Sequence, residues 1–393
     1  MTDTVIVNVR ALEPGKGVVA AWVRIRHGKI VELGPHETTP NNPADNQIDG
    51  GGRLLTPGLI DLHTHGLEQF AYESGPEQIL AASKRLAQFG TTCILPTMYR
   101  ALSRSQLGEL ERLATALSKV EDVCMPGFHL EGPFLALAGA GAQTVAGDVG
   151  LLDELLAAAG GRVTAMSISP EVLNILPVIE RMCELGIVPF ITHTRATIEQ
   201  TQAAIDAGAR HATHFYDVFP MPAETEPGVR AVGAVETILA DPRCSVDFIA
   251  DGVHVHPTAI KAALAAKGPQ GVLLTTDSNI GAGFPPGIYE SPMGPIAAGD
   301  AARLHRPGEP LHGGLAGSTL TMNRGIANLL AWLGLPEEQV WAMGTSNVAR
   351  VLKLASKGSL RVGADADLVL WNQDGGKLRA ERTWVGGRLV YSS

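Results

Sequence analysis

Gly58-Leu59-Ile60-Asp61-Leu62-His63-Thr64-His65-Gly66 is the stretch from which the fold can be read. It begins as a buried apolar strand and ends in polar residues. Side chains two apart on a strand point the same way, so His63 and His65 share one face. Counting this strand at 58–65, seven more such runs follow near 91–97, 123–130, 162–168, 187–193, 209–214, 244–250 and 271–277. Helical patterns at 77–89, 103–119, 171–185 and 257–267 lie between them, the third interrupted by Pro177. Strands alternating with helices across short connections mark a parallel sheet with crossover helices. Eight units spread over ~270 residues favour a closed (β/α)8 TIM-type barrel, and no G-x-G-x-x-G after the first strand supports dinucleotide binding.

Outward from the barrel, residues 1–53 alternate short β runs (Val5-Ile6-Val7-Asn8-Val9, then Ala21-Trp22-Val23-Arg24-Ile25-Arg26) with turns such as His27-Gly28-Lys29. Residues 358–392 read the same way through Asp367-Leu368-Val369-Leu370-Trp371 and Thr383-Trp384-Val385. Neither end has enough apolar residues for its own core, so the two are expected to pair into one small β-sandwich domain. The predicted division is 1–53 plus 356–393 for that domain and 54–355 for the barrel.

With 393 residues, 45% hydrophobic and 18% charged, the chain is not a disordered one. Its 31 Lys+Arg against 40 Asp+Glu, a net charge of −9, argue against a nucleic-acid partner. Cys93, Cys124, Cys183 and Cys244 lie far apart without a C-x-x-C pair, and are expected to be buried reduced thiols. The first residues lack a signal-peptide pattern, and no uncharged apolar run reaches the ~18 residues of a membrane span. A cytoplasmic protein without a membrane partner is expected.

Chemistry in a barrel of this kind belongs at the C-terminal ends of the strands. His63 and His65 end the first, Glu131 follows the third, His193 ends the fifth, His214 the sixth and Asp277 the eighth. A His pair alone also fits hydrogen-bonded core positions, Asp277 also fits a helix N-cap, and Glu131 also fits a turn before Pro133. Together, five of the eight strand ends carry a His, Glu or Asp, which points to a metal centre. Imidazole and carboxylate donors suit Zn2+ or Fe2+ rather than the all-oxygen shells of Ca2+ or Mg2+. His129 and His211 each neighbour a better candidate and are assigned to the core.

These residues sit in motifs that resemble the amidohydrolase superfamily and, within it, the N-acetylglucosamine-6-phosphate deacetylases. The resemblance runs from Leu55-Thr56-Pro57-Gly58-Leu59-Ile60-Asp61 to the closing stretch Lys357-Gly358-Ser359-Leu360-Arg361-Val362-Gly363-Ala364-Asp365. Narrower motifs carry the subfamily: His129-Leu130-Glu131-Gly132-Pro133-Phe134, His193-Thr194-Arg195, His211-Ala212-Thr213-His214, Asp251-Gly252-Val253-His254 and Leu315-Ala316-Gly317-Ser318. The resemblance implies a metal-dependent amide hydrolase that removes an N-acetyl group from an amino sugar. His63 and His65 would hold one divalent ion, His193 and His214 a second, with Glu131 binding or bridging. One or two ions are implied, Zn2+ first and Fe2+ as the alternative. The resemblance also gives Asp277 the part of base and then acid toward metal-activated water and the leaving amine. His254 would meet the substrate, and a homodimer is implied as the assembly.

The remaining substrate-binding candidates by motif are Ala142, Gln143, Asp217, Val218, Thr225, Leu315, Ala316 and Gly317. Three depart from the family pattern where a phosphate would bind. Gln143 stands for a His, Thr225 for an Arg, and Asp217 for an Asn. Losing two donors and gaining a carboxylate works against a dianion. A different amide, unphosphorylated or cyclic, is therefore the rival substrate, and a non-catalytic scaffold the rival from another class. The Gly/Pro-rich segment 278–314 is expected to form a lid over the site.

Overall fold

The structure is a computed structural model and describes residues 3–13, 15–40, 45–138 and 143–393. Eight strands lie side by side in chain order: Leu59–Thr64, Thr91–Met98, Phe128–Leu130, Val163–Ile168, Val188–Ile191, His211–Ala212, Ser245–Ile249 and Val272–Thr275. Every pairing among them is parallel. The last strand returns to the first near the rim, where Asp277 N donates to His63 O at 2.9 Å and His65 N to Ser278 O at 2.8 Å. A nearly closed (β/α)8 barrel results.

The barrel interior is filled by Ile60, Leu62, Leu95, Ala165, Phe190 and Leu273. A larger apolar layer between strands and helices includes Leu113, Leu155, Ile179, Ile205 and Ile260. Local sequence fixes the helix starts. Asp148 caps Val149–Ala158 by accepting from Leu151 N, and Thr197 with Gln200 forms a capping box on Ile198–Ala207. Pro177 falls in the first turn of Ile175–Glu184, where its missing N–H would have had no helical partner, so the helix is intact. The third strand is shorter than expected, because Pro126 cannot donate to a ladder and leaves only an isolated bridge between Cys93 and Cys124 before it.

The two chain ends form one eight-stranded sheet. Leu54–Pro57 is its seam, parallel to Thr4–Glu13 on one side and antiparallel to Leu368–Asp374 on the other. Its own core contains Ile6, Val23, Ile30, Leu55, Leu368 and Trp384. Gly58 carries the chain from this sheet into the barrel, and a Cβ there would lie 2.0 Å from Thr92 Oγ1. No larger residue fits that passage.

Within 278–314 the chain forms three short antiparallel strands, Gly287–Tyr289, Ile296–Ala298 and Ala302–Leu304, packed on Ile296, Ala302, Leu304 and Ala316. The segment therefore carries a small sheet of its own. All four cysteines are free, but the expectation of burial needs correcting for Cys124, which is half-buried, and above all for Cys183, which is exposed. It lies off the buried stripe of its helix, which is made by Ile175, Val178, Ile179 and Met182. Among the described residues, no helix is long and apolar enough to cross a membrane.

Candidate metal and catalytic site

The ligand-type residues at the strand ends converge on Glu131. Its Oε2 lies 3.8 Å from His63 Nε2 and 3.3 Å from His65 Nε2, while Oε1 lies 3.1 Å from His193 Nε2 and 3.3 Å from His214 Nε2. One carboxylate thus separates two pairs of imidazoles. Asp277 Oδ1 faces the first pair, 3.4 Å from His63 Nε2 and 3.3 Å from His65 Nε2. Two groups of donors close enough to hold an ion follow: His63, His65 and Glu131, and Glu131, His193 and His214.

The donor set fits a cation. His193 Nδ1 donates to the Leu137 carbonyl at 2.9 Å, so a neutral His193 ring turns the lone pair of Nε2 toward a carboxylate oxygen. Two acceptors face each other there, and a positive charge between them satisfies both. His63 Nε2 and His65 Nε2 likewise point at each other across 3.2 Å. Burial alone would raise the pKa of Glu131, yet the surrounding imidazoles hold it well below its ordinary value. Burial pushes His63 well down, whereas His214, although equally buried, is pushed up to about 10 by its bond to Glu131. The pocket favours positive charge, and its nitrogen and carboxylate donors could hold a divalent ion.

Several backbone positions at the rim are strained. His193, His214 and Asp277 have φ of 50°, 36° and 47°, and β-branched Val218 has 54°. Such values cost about 1–3 kcal/mol each and persist only where the surroundings impose them. At His214 the imposing group is Asp247, whose Oδ1 accepts the His214 N–H at 2.6 Å. Its other oxygen lies 2.8 Å from His211 Nε2, and His211 Nδ1 lies 2.8 Å from Ser245 Oγ. His211 is thereby consumed inside the core. So is His129, bonded to Leu62 O at 3.2 Å and Ser167 Oγ at 2.8 Å.

These interactions bound a cavity of about 200 Å³. His65, Glu131, His193, His214 and Asp277 line it, with Asp217, Val218, His254, Leu315, Ala316 and Gly317. His63 is fully buried beneath them. Two expected substrate contacts are not brought there. Gln143 donates to Gln106 Oε1 at 3.1 Å, and Thr225 sits in an exposed stretch, so neither lines the cavity. Ala142 lies outside the described residues. The sequence reading missed Tyr99, Asn279 and Met293, which complete the lining. It also missed the supports Asp61, Glu73 and Asp247. A signal for Asp247 was present, since a lone charge inside Ser245-Val246-Asp247-Phe248-Ile249 must find a buried partner.

His254 is held from behind, with Nδ1 2.6 Å from Asp251 Oδ2. Burial opposes its positive charge, but the bond to Asp251 raises its pKa above the ordinary value. Its ring joins Asp217 and Asp277 in a third cluster of polar atoms lying within 4.8 Å of one another.

Residues 54–390 match the amidohydrolase family. The N-acetylglucosamine-6-phosphate deacetylase of Lysinibacillus sphaericus is 30% identical over 374 residues, covering 93% of this chain and 92% of that protein. The N-acetylgalactosamine-6-phosphate deacetylase of Escherichia coli O157:H7 is 28% identical over 86% of this chain and 88% of its own length. Among solved structures, a variant N-acetyl-D-glucosamine-6-phosphate deacetylase from Mycobacterium smegmatis, in complex with N-acetyl-D-glucosamine-6-phosphate, superposes with a TM-score of 0.84 at 27% identity, covering 100% of both chains. These relatives are metal-dependent hydrolases of C–N bonds other than peptide bonds, and the chain belongs to the amidohydrolase family.

Proposed function

We propose that the protein hydrolyses the amide of an N-acyl amino sugar, releasing the acyl group, acetyl first among candidates, and the free amine. The observation that carries this reading is the placement of Asp277 beside His63 and His65 in the cavity where Glu131 separates the two imidazole pairs. His63, His65, Glu131, His193 and His214 would hold one or two divalent ions, Zn2+ as the first expectation. Such an ion supplies Lewis acidity toward the amide carbonyl and lowers the pKa of water. The fourth strand, Val163–Ile168, contains no lysine, which leaves Glu131 as the carboxylate able to reach both pairs.

Asp277 takes a proton from water at its carboxylate as the new C–O bond forms, and returns it to nitrogen as the C–N bond breaks. One group serves both steps because the proton gained first is the one the poor amine leaving group requires. His254, oriented through Nδ1 by Asp251, donates a hydrogen bond to the substrate. The rim backbone that presents His193, His214 and Asp277 is preorganised, so little rearrangement accompanies binding. Asp217, Val218, Leu315, Ala316 and Gly317 line the substrate's side of the cavity.

Within this reading, the hydrolase domain runs from the barrel strand at Leu59 to 355, and the supporting β domain takes in 1–57 with 356–393, because the seam strand Leu54–Pro57 belongs to its sheet rather than to the barrel as the 53/54 division expected. The free thiols agree with a cytoplasmic setting. A homodimer is the expected assembly, and exposed Leu173 and Met221 offer apolar surface for it. The test is release of amine from N-acetylhexosamines by protein loaded with Zn2+ or Fe2+, compared with protein stripped by a chelator. Turnover that needs the ion supports the reading. Equal turnover without it, or none on any N-acyl sugar, overturns it.

A further inference from the structure

The cavity wall beside His65 is apolar, where the Tyr99 ring centroid lies 5.2 Å from that of His65 and Tyr99 packs with Leu135 and Met293. It turns acidic at Asp277, which lies 3.3 Å from His65 Nε2 and shares a cluster with Asp217 and His254, whose Nδ1 Asp251 already engages at 2.6 Å. Among the described residues lining the cavity there are three carboxylates, Glu131, Asp217 and Asp277, and no lysine or arginine.

The arginines near this rim in sequence are engaged elsewhere or face outward. Arg230 pairs with Glu236 at 2.6 Å, Arg303 donates to Gly313 O at 3.2 Å, and Arg306 donates to Met293 O. Arg100 and Arg195 are exposed and do not line the cavity. Glu131 lies among the imidazoles that an ion would join, so its charge is answered there. Asp217 shares its cluster with His254, whose Nδ1 is already engaged by Asp251. Its backbone is held at the rim, with Asp217 N donating to His214 O at 2.9 Å and Val218 beside it in the left-handed region.

We infer that the cavity accepts an N-acyl amine bearing hydroxyl groups and no phosphate, with the acyl group toward Tyr99 and Met293 and a hydroxyl of the amine portion donating to Asp217. The inference rests on the hydrolytic reading above and narrows its substrate class. A hydroxyl gives Asp217 a charge-assisted hydrogen bond, whereas a phosphate dianion would face a like charge with no guanidinium or ammonium among the described lining residues to bind it. The phosphate-bearing sugars of the relatives would therefore be poor substrates here.

The test compares kcat/KM for N-acetylated hexosamines and their 6-phosphates on metal-loaded wild type and Asp217→Asn. Wild type is expected to favour the unphosphorylated sugar by about tenfold or more, the scale of one charge-assisted hydrogen bond plus the repulsion avoided. Asp217→Asn should raise KM for the plain sugar more than it lowers kcat and should narrow the gap to the 6-phosphate. Equal turnover of the two sugars, a preference for the phosphate, or a preference for an N-acetylated diamine over the sugar overturns the inference while leaving hydrolysis standing. Failure on every N-acyl sugar, with the ions bound, removes the hydrolytic reading itself.

Discussion

The Thr276 hydroxyl donates to Asp61 Oδ2 at 2.6 Å, tying the first barrel strand to the eighth one residue before Asp277. Asp61 Oδ1 also accepts from Thr276 N and Thr275 Oγ1, each at 3.2 Å. The side chain thus reinforces the backbone closure made beside it by Asp277 N to His63 O and His65 N to Ser278 O. Burial raises the Asp61 pKa to about 7 against these bonds. Removing the hydroxyl with Thr276→Val should cost about 1–3 kcal/mol, the range for a lost bond to a buried group. It should lower kcat more than it raises KM, because the strained Asp277 loses its neighbouring anchor. Denaturant melts and steady-state kinetics check both effects, and an unchanged kcat would show that Asp277 is held without Asp61.

Glu73 makes a second prediction. Its Oε1 accepts from Tyr99 N, Arg100 N and Ala101 N at 3.1, 2.9 and 3.3 Å, while its buried Oε2 and the buried His65 Nδ1 both lack a hydrogen-bond partner among the described residues. A metal-binding histidine normally donates its other N–H to a carboxylate or carbonyl. Glu73→Gln keeps an oxygen for the three backbone donors and loses the second acceptor. Metal affinity at His63 and His65 should fall about 10–100-fold, with the ion at Glu131, His193 and His214 retained. Titration against a competing chelator reads this directly, and wild-type affinity would confine Glu73 to anchoring the 99–101 loop.

The pair of His254 and Asp251 sets a pH dependence. The raised His254 pKa means that the pair's contribution to folding is complete below about 6.5 and is lost as pH climbs through the raised value. The same charge keeps His254 a donor to substrate above its ordinary range. Asp251→Asn should move the basic limb of kcat/KM to lower pH. A basic limb that stays in place would remove His254 from substrate binding.

The barrel and its chemistry were legible in the sequence because both are written locally. Alternation in the first strand placed His63 and His65 on one face, and the strand ends carried Glu131, His193, His214 and Asp277. The supports were not legible, since Asp61 and Thr276 lie 215 residues apart and no local pattern joins them. Gln143 and Thr225 were matched by motif position, but side-chain direction and loop path decide contact: Gln143 turns to Gln106, and Thr225 lies in an exposed stretch outside the lining. Pro126 shortened a strand that hydropathy alone would have extended. The small sheet at 287–304 was hidden by its glycines and prolines, although Ile296 and Leu304 form its core.

At the foot of the barrel, Asp365 lies 2.5 Å from Lys29 Nζ, 2.7 Å from Ser356 Oγ and 3.1 Å from Lys357 Nζ. Burial alone would raise its pKa, but these partners lower it from 3.8 to about 2. The stabilisation is therefore present above 3.8 and lost as pH falls toward about 2. Asp365→Asn should be less stable than wild type at neutral pH and should lose less on acidification through that window. Thermal melts between pH 5 and 2 measure it, and parallel curves for the two proteins would contradict the assignment.

The most direct test of the central claim measures metal content and turnover on the same preparation of Asp277→Asn. The account predicts wild-type metal stoichiometry and a KM within a few-fold of wild type, with kcat lower by about 10²–10⁴, the usual share of a general acid–base group. Full activity in that variant, with the metal bound, would contradict it.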